Sequence, residues 1–428
     1  MSRKMKDSGV EWIGYIPDSW NTTRLGWCVN EVKEKNNPIK TTNVLSLTNK
    51  LGVVPYEEKG NQGNKAKEDY SQYGLAFENT LVVNSMNVLI GSVGISNYYG
   101  CVSPVYYVYR ANDNSDLRYI NYLFQNVGFQ KEMRKYANGI LEIRMRISSH
   151  DMLRRIIPVP SLDEQKKISD YLDDKCGEID NIVSKTQVSI EEYKKLKQSI
   201  ITEAVTKGVR GDREMKKGKN MLVGEIPIDW SERRMKELSI VISDGIHSSP
   251  NYDEEGEYFF INGNNIGGEY IEIKNTTNRL NAAERKKYPI EMLNDNSILI
   301  SLNGATYGKV SLYKENPVLL GKSAGYITLN GSVTRKFIRY YLMSEKSKAI
   351  MALSLNGTTI QNLSLSTLKG FYICYPEKRE QFEIVEYLDN KCNEIDLLIM
   401  KKEKMIDYFD LYKKSLIYEY VTGKKEVS

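Results

Sequence analysis

The chain has 428 residues with 60 Lys+Arg against 55 Asp+Glu, a formal net charge of +5, and 41% hydrophobic and 27% charged residues. That length exceeds what one hydrophobic core usually supports, so two or more domains are expected. No apolar run approaches the roughly 18 residues of a membrane span, and the start, MSRKMKDSGVEW, lacks the apolar centre of a signal peptide, which points to the cytoplasm.

In chain order, the first distinctive segment is Gly14-Tyr-Ile-Pro17-Asp-Ser-Trp20, followed by Arg24. Short β-type runs come next at Val53-Val54, Leu81 to Val83, Val88 to Ile90 and Val105 to Tyr109, punctuated by glycine and asparagine. Asn84 to Asn87 with Gly91 forms a polar turn between two of them. A helical pattern covers Leu117 to Tyr136 and carries Lys131 and Arg134. Beyond Asn138-Gly139, Arg144 and Arg146 alternate and point the same way if this stretch is extended; a solvated strand face is the competing reading. From Lys131 to Arg155 seven Lys/Arg face three acids, a local basic cluster that the mild overall charge hides.

Leu162 to Lys207 contains no proline, and Ile168, Leu172, Cys176, Ile179, Val183, Ile190, Tyr193, Leu196, Ile200 and Ala204 fall at helical spacing. Ser161 and Glu164 predict a capping box at its start. Such a helix would extend roughly 65 Å at 1.5 Å per residue.

The chain then repeats itself. Gly224-Glu-Ile-Pro227-Ile-Asp-Trp230 and Arg234 match Gly14 to Trp20 and Arg24. Tyr387-Leu-Asp-Asn-Lys-Cys-Asn-Glu-Ile-Asp396 matches Tyr171-Leu-Asp-Asp-Lys-Cys-Gly-Glu-Ile-Asp180. The second stripe is Ile384, Leu388, Cys392, Ile395, Ile399, Ile406, Phe409, Tyr412, Leu416 and Tyr420. Two such stripes are most simply buried against each other as an antiparallel coiled coil, with Leu172, Ile179, Val183, Ile190, Leu388, Ile395, Ile399 and Ile406 in the seam. The alternative packs each helix only on its own domain.

Between these shared ends, residues 28 to 140 and 238 to 355 show little identity at any fixed offset. The second interior has β-type runs at Tyr258 to Ile261, Ile298 to Ile300 and Tyr326 to Leu329, then a helical pattern from Val333 to Met351. The fold class expected is therefore α+β: two similar α/β domains separated by two long antiparallel helices, with an internal pseudo-two-fold repeat. Domain limits are expected at 1–160, a helix at 161–207, a basic linker at 208–220, a second domain at 221–376, a helix at 377–422 and a tail at 423–428.

Polar loops in the second interior hold His247, Ser248, Asn262, Asn264, Asn265, Asn303, Thr306, Tyr307, Lys309, Thr358, Thr359 and Gln361. Asn and Gln can bond adenine in two places, and Lys or Arg can bond guanine or phosphate. Asn84, Asn87, Lys131, Arg134, Arg144 and Arg146 are the corresponding candidates in the first. Any single Asn-Gly is foremost a turn signal.

Chemistry has little to stand on. His150 and His247 are the only histidines, without partners at metal-ligand spacing, and the five cysteines lie far apart. Gly321-Lys322-Ser323 has the look of a P-loop end, but Asn316 stands where that motif needs glycine. No catalytic residue, metal or cofactor is assigned to this chain.

The repeat, the two G-x-I-P-x-x-W segments and the L-D-x-K-C-x-E-I-D helices resemble the specificity subunits of type I restriction-modification systems. Their helix starts Leu162-Asp-Glu-Gln165 and Lys378-Arg-Glu-Gln381, with Ser243-Asp-Gly-Ile-His247 and Gly304-x-x-x-Gly308-Lys309, carry the likeness most specifically. The resemblance implies a non-catalytic subunit whose two domains read the halves of a split, asymmetric site in double-stranded DNA. Two methyltransferase subunits would dock on the shared frame, bringing S-adenosylmethionine for adenine methylation, and restriction subunits would bring ATP and Mg. A four-residue insertion near Gln187 should then lengthen the unspecified gap. Lys378-Arg379 against Leu162-Asp163 implies docking that differs at the two ends. A DNA-specificity subunit of a stand-alone methyltransferase or a fused-type restriction enzyme, an enzyme with an unseen site, and a protein-only scaffold are the alternatives.

Overall fold

The computed structural model describes residues 3–48, 51–60, 69–139, 145–219, 223–289, 291–354 and 362–427. The chain divides into two units, Met1–Gln187 with Glu403–Ser428, and Val188–Lys402.

The first unit opens on a hairpin pairing Met5–Asp7 with Tyr15–Pro17. The motif explains itself locally. Gly14 sits at φ +66°, a region that suits glycine, Ile16 and Trp20 are buried, and the Trp20 amide donates to the Pro17 carbonyl at 2.9 Å. Strand Asn21–Arg24 then pairs antiparallel with Ile156–Val159. The variable interior forms two four-stranded sheets. One runs Val29–Glu31, Tyr106–Ala111, Thr80–Asn84, Val93–Ser96, all antiparallel. The other runs Gly52–Pro55, Val44–Thr48, Gly100–Val102, Gly74–Ala76, with Val44–Thr48 parallel to Gly100–Val102.

Thr80–Asn84 is buried throughout because it is covered on both faces. Leu81 and Val83 join the core of Trp20, Tyr109, Tyr119 and Phe124, while Val82 faces Leu45, Val53 and Val102 on the other side. Period-two alternation produces this split. Each such aliphatic side chain contributes roughly 1.5–3 kcal/mol through burial.

The second unit repeats the plan with different residues. Met215–Lys217 pairs with Glu225–Pro227, and Ser231–Arg234 with Tyr372–Tyr375. Its main sheet runs Ser239–Asp244, Ala324–Leu329, Ser297–Ser301, Val310–Leu312. A three-stranded sheet runs Arg279–Leu280, Tyr258–Ile261, Val318–Leu320, the last two parallel. Ile298 and Ile300 again point into the larger core and Leu299 into the smaller one.

Three expectations need correction. Val88–Ile90 is a turn of 3-10 helix, not a strand, because the chain must reverse between Asn84 and Val93. The helical pattern Leu117 to Tyr136 is two helices, Leu117–Gln125 and Val127–Arg134, broken at Asn126, whose side chain caps the second by accepting from the Phe129 amide at 3.1 Å. Ser344 breaks Arg335–Met343 from Glu345–Leu353 in the same way.

Both long helices form, at Leu162–Lys207 and Lys378–Val421, and the unit boundaries fall within them. In the first unit they run antiparallel: the Tyr171 and Tyr420 rings meet at a tilt with centroids 4.5 Å apart, and Lys413 bonds Asp180 at 2.7 Å. Leu172 and Ile179 share a core with Leu416 and Val421. In the second unit Lys197 bonds Asp396 at 2.6 Å, Arg210 just past the end of the first helix reaches Glu383 near the start of the second, again antiparallel, and Ala204 shares a core with Leu388. Ile190 and Ile395 are buried, Val183, Ile399 and Ile406 half-buried. Cys176 and Cys392 lie in these seams, where burial pushes the Cys176 thiol up to about 11; the five cysteines are free and buried.

At the start of the first long helix the expected capping box is half formed. Ser161 Oγ accepts from the Glu164 amide at 3.3 Å. The Glu164 carboxylate turns instead to Arg3 and to the Trp20 indole N–H, the latter at 2.9 Å. A charged donor and a buried indole outcompete a solvent-facing backbone amide. Among the described residues no helix is long and apolar enough to cross a membrane.

Candidate nucleic-acid interface

In the second unit four loops meet at one edge of the sheets, because strand direction sends them there. Tyr258–Ile261 and Val318–Leu320 are parallel, so the loops after them emerge together. Asp244 pairs with Gly325 and Ser301 with Ala324, so both these strands also end where Ala324–Leu329 begins. Hydrogen bonds lock the loops together: Ile246 N to Leu320 O at 2.8 Å, Gly263 N to Ser323 Oγ at 2.9 Å, Ser323 Oγ to Asn262 Oδ1 at 3.1 Å, and Leu302 N to Ser323 O at 2.9 Å. His247, Ser248, Asn262, Asn303, Thr306, Tyr307 and Lys309 all lie on these loops.

Asn262, Asn264, Asn265, Thr306 and Lys309 line one open concavity of about 660 Å³ together with Lys274, Thr276 and Asn278. Their duties differ. Asn265 is buried; its Nδ2 donates to Glu272 O at 2.9 Å and Thr277 Oγ1 at 3.1 Å, and its Oδ1 accepts from Asn262 N at 3.0 Å. Its hydrogen-bonding capacity is thus largely used within the loop. Thr306 Oγ1 bonds Ser301 Oγ at 2.8 Å. Asn264 and Lys309 are exposed. His247 is exposed and bonds Asp244 Oδ2 at 2.9 Å. Thr358, Thr359 and Gln361 lie outside the described residues.

The first unit builds a similar edge. Asn84 pairs with Tyr106, and the parallel register of Val44–Thr48 with Gly100–Val102 makes Val44–Thr48 end on the same side. Asn84 is buried, and its Oδ1 accepts from Met86 N at 3.0 Å, which shapes the turn. Asn87, exposed, starts the 3-10 turn. Lys131 and Arg134 are exposed on Val127–Arg134, the helix beside that turn: a Cβ added to Gly91 would stand 2.9 Å from Gln130 Nε2. Arg146 joins through Ile147 N to Ser85 O at 3.1 Å. Arg144 lies outside the described residues.

The two edges share one loop backbone. Asn84 N bonds Ser92 O at 3.1 Å, and Ser301 N bonds Lys309 O at 2.8 Å. Ile147 N bonds Ser85 O at 3.1 Å, and Leu363 N bonds Leu302 O at 2.7 Å. Gly91 and Gly308 occupy the same place at φ +85° and +75°, conformations that favour glycine. Ile90 therefore corresponds to Tyr307 and Ser92 to Lys309: one scaffold, opposite chemistry.

A family described as the type I restriction modification DNA specificity domain matches residues 17–192 and again 227–406, well over half of the chain. The chain belongs to this family. It is a type I restriction-modification specificity subunit with two target recognition domains. Among curated relatives, the type I restriction enzyme MjaVIII specificity subunit of Methanocaldococcus jannaschii is 25% identical, covering 96% of this chain and 94% of the relative. The putative MjaX specificity subunit of the same organism is 27% identical over 97% and 96%. In fold, the specificity subunit is similar to a chain in a structure described for complex assembly and conformational transition of the type I restriction-modification system, with TM-score 0.72, 16% identity, and 96% and 99% of the two chains covered. The HsdS subunit from Thermoanaerobacter tengcongensis gives TM-score 0.53 at 15% identity over 96% and 98%.

Sequence reasoning about the specificity subunit passed over Lys322, Lys274, Thr276 and Asn278. Lys322 is exposed between Gly321, which bridges to Ile246, and Ser323, which bonds Asn262. Its P-loop-like setting was the only local signal, and Asn316 in place of a glycine argued against nucleotide binding. The other three reach the concavity only through folding, and nothing near them in the chain marks them.

Proposed function

We propose that each target recognition domain of this specificity subunit reads one half of a bipartite, asymmetric site in double-stranded DNA through its converging loop edge. The carrying observation is that one loop backbone recurs in both units while the side chains on it differ in kind, exposed Ile90 and buried Ser92 against half-buried Tyr307 and exposed Lys309. Lysines and arginines at the edge, Lys131, Arg134 and Arg146 in one domain and Lys309 and Lys322 in the other, place it on phosphate. Exposed amides such as Asn87 and Asn264 then meet base edges, where a bidentate contact contributes about 1–3 kcal/mol of discrimination.

In this reading the chain carries no chemistry of its own and works in the cytoplasm. Two methyltransferase subunits with S-adenosylmethionine dock on the repeated helices, and restriction subunits using ATP and Mg join them. Methylome sequencing of cells expressing the chain with its methylation subunits tests this. Two unlike half-sites with a constant unspecified gap are expected, and exchanging residues 28 to 140 should change one half-site alone. A contiguous or palindromic site, or a change in both halves, contradicts the reading.

A further inference from the structure

The first recognition edge displays an apolar side chain where nothing in the fold calls for one. In the turn Val88–Ile90, Val88 is fully buried and anchors the loop, whereas Ile90 is 66% exposed. The loop is held rigid: Ile90 N bonds Asn87 O, Gly91 N bonds Val88 O and Ser92 N bonds Asn87 O, each at 3.0 Å. Leu51, 63% exposed, stands on the neighbouring hairpin, whose Gly52 Cα would lie 3.3 Å from a Cβ on Gly94. Leu51 N is tied to Thr48 Oγ1 at 2.9 Å. Two aliphatic residues thus project from adjoining loops of an edge otherwise lined by Asn87, Lys131 and Arg146. The equivalent loop of the second domain places half-buried Tyr307 and exposed Lys309 there.

Resting on the reading above, we propose that Ile90 recognises the 5-methyl group of a thymine in the half-site taken by the first domain, with Leu51 lining the same contact. The thymine methyl is the one aliphatic group on the major-groove face of the four bases, and an aliphatic side chain on a preorganised loop recognises it without hydrogen bonding. The second domain reads its half-site through polar and aromatic groups instead.

The test uses the chain in complex with its methylation subunits and a duplex carrying its bipartite site. Exchange of residues 28 to 140 identifies the half-site of the first domain. Thymines there are replaced singly by deoxyuridine, which removes only the methyl group. At one position wild-type affinity should fall about fourfold, the equivalent of about 0.8 kcal/mol for one methyl returned to water. Ile90→Ala should bind the thymine and uracil duplexes equally, whereas Tyr307→Ala should leave this discrimination intact. Indifference to uracil at every position, discrimination that survives Ile90→Ala, or a half-site without thymine overturns the proposal. Failure of the underlying reading looks different: exchange of residues 28 to 140 then leaves both half-sites unchanged.

Discussion

The two joints where each recognition domain meets its long helix use the same carboxylate differently. In the first unit Glu164 serves Arg3 and the Trp20 indole, its Oε2 accepting from Trp20 Nε1 at 2.9 Å. In the second, Glu380 is almost wholly buried, and Arg213 bonds both its oxygens while also reaching Asp229. Among the described residues the Trp230 indole N–H consequently has no partner. Asp229 stands where the first copy has Ser19. A single acid at the neighbouring position draws the arginine into a second ion pair, and the carboxylate follows the arginine away from the tryptophan. Duplication preserved the joint, and local charge redistributed its bonds.

The largest expected effect breaks that contrast directly. Glu380→Ala strands the mostly buried Arg213 without its main partner, and should destabilise the second unit by about 3–5 kcal/mol in denaturant unfolding. Glu164→Ala should cost less, because Arg3 and an indole lose an acceptor without a second buried ion pair being dismantled. Equal losses would show that Asp229 and the doubled arginine contact add nothing.

Recognition is sharpened next. Asn264→Ala should reduce discrimination at one base pair of the second half-site by about 1–3 kcal/mol, leaving the first half-site as it was. Competition binding with single-base variants measures this; a uniform loss across all variants would reduce Asn264 to a phosphate contact. Lys309→Ala should act in the converse manner, weakening binding evenly and lowering the slope of log K against log salt by about 1. Ser92→Ala at the equivalent buried position should leave the slope unchanged.

The smallest effect concerns acid. Glu284 lies under the loop that carries His247, accepting from Asn251 N at 3.1 Å and from Lys287 Nζ at 2.6 Å. The Lys287 ammonium, then the Asn251 amide, hold its carboxyl down from 4.5 to about 2. Its contribution to stability is therefore full above about 4.5 and lost as pH falls towards about 2. Glu284→Gln should flatten that part of the pH profile of the second unit, read by intrinsic fluorescence, and leave the profile at neutral pH parallel to wild type.

Much of the frame was legible in the chain. Gly14 to Trp20 and its repeat announced the hairpin, since a left-handed glycine, a buried isoleucine and a buried tryptophan are local requirements. The helix stripes through Leu172 and Leu388 announced the paired helices, because apolar spacing survives whatever the partner is. Asn126 and Ser344 escaped notice as helix breaks, for each is a short polar residue that caps a new helix only when the chain turns there. Candidate bases-facing residues were a mixture. Asn265 and Asn264 are adjacent in the chain, yet one is spent inside the loop and the other faces out.

By itself, then, the order of residues determined the duplicated frame, the long amphipathic helices, the β-type runs at Leu81 to Val83 and Ile298 to Ile300, and the presence of two dissimilar interiors. Only tertiary structure decided that Ile90 and Tyr307 occupy one position, that Lys322 joins the converging loop edge, and that Asn84 and Asn265 build loops. The reason is physical: periodicity and capping act between residues a few positions apart, whereas strand direction and register, set by long-range pairing, choose which loops meet and which side chains are left facing out.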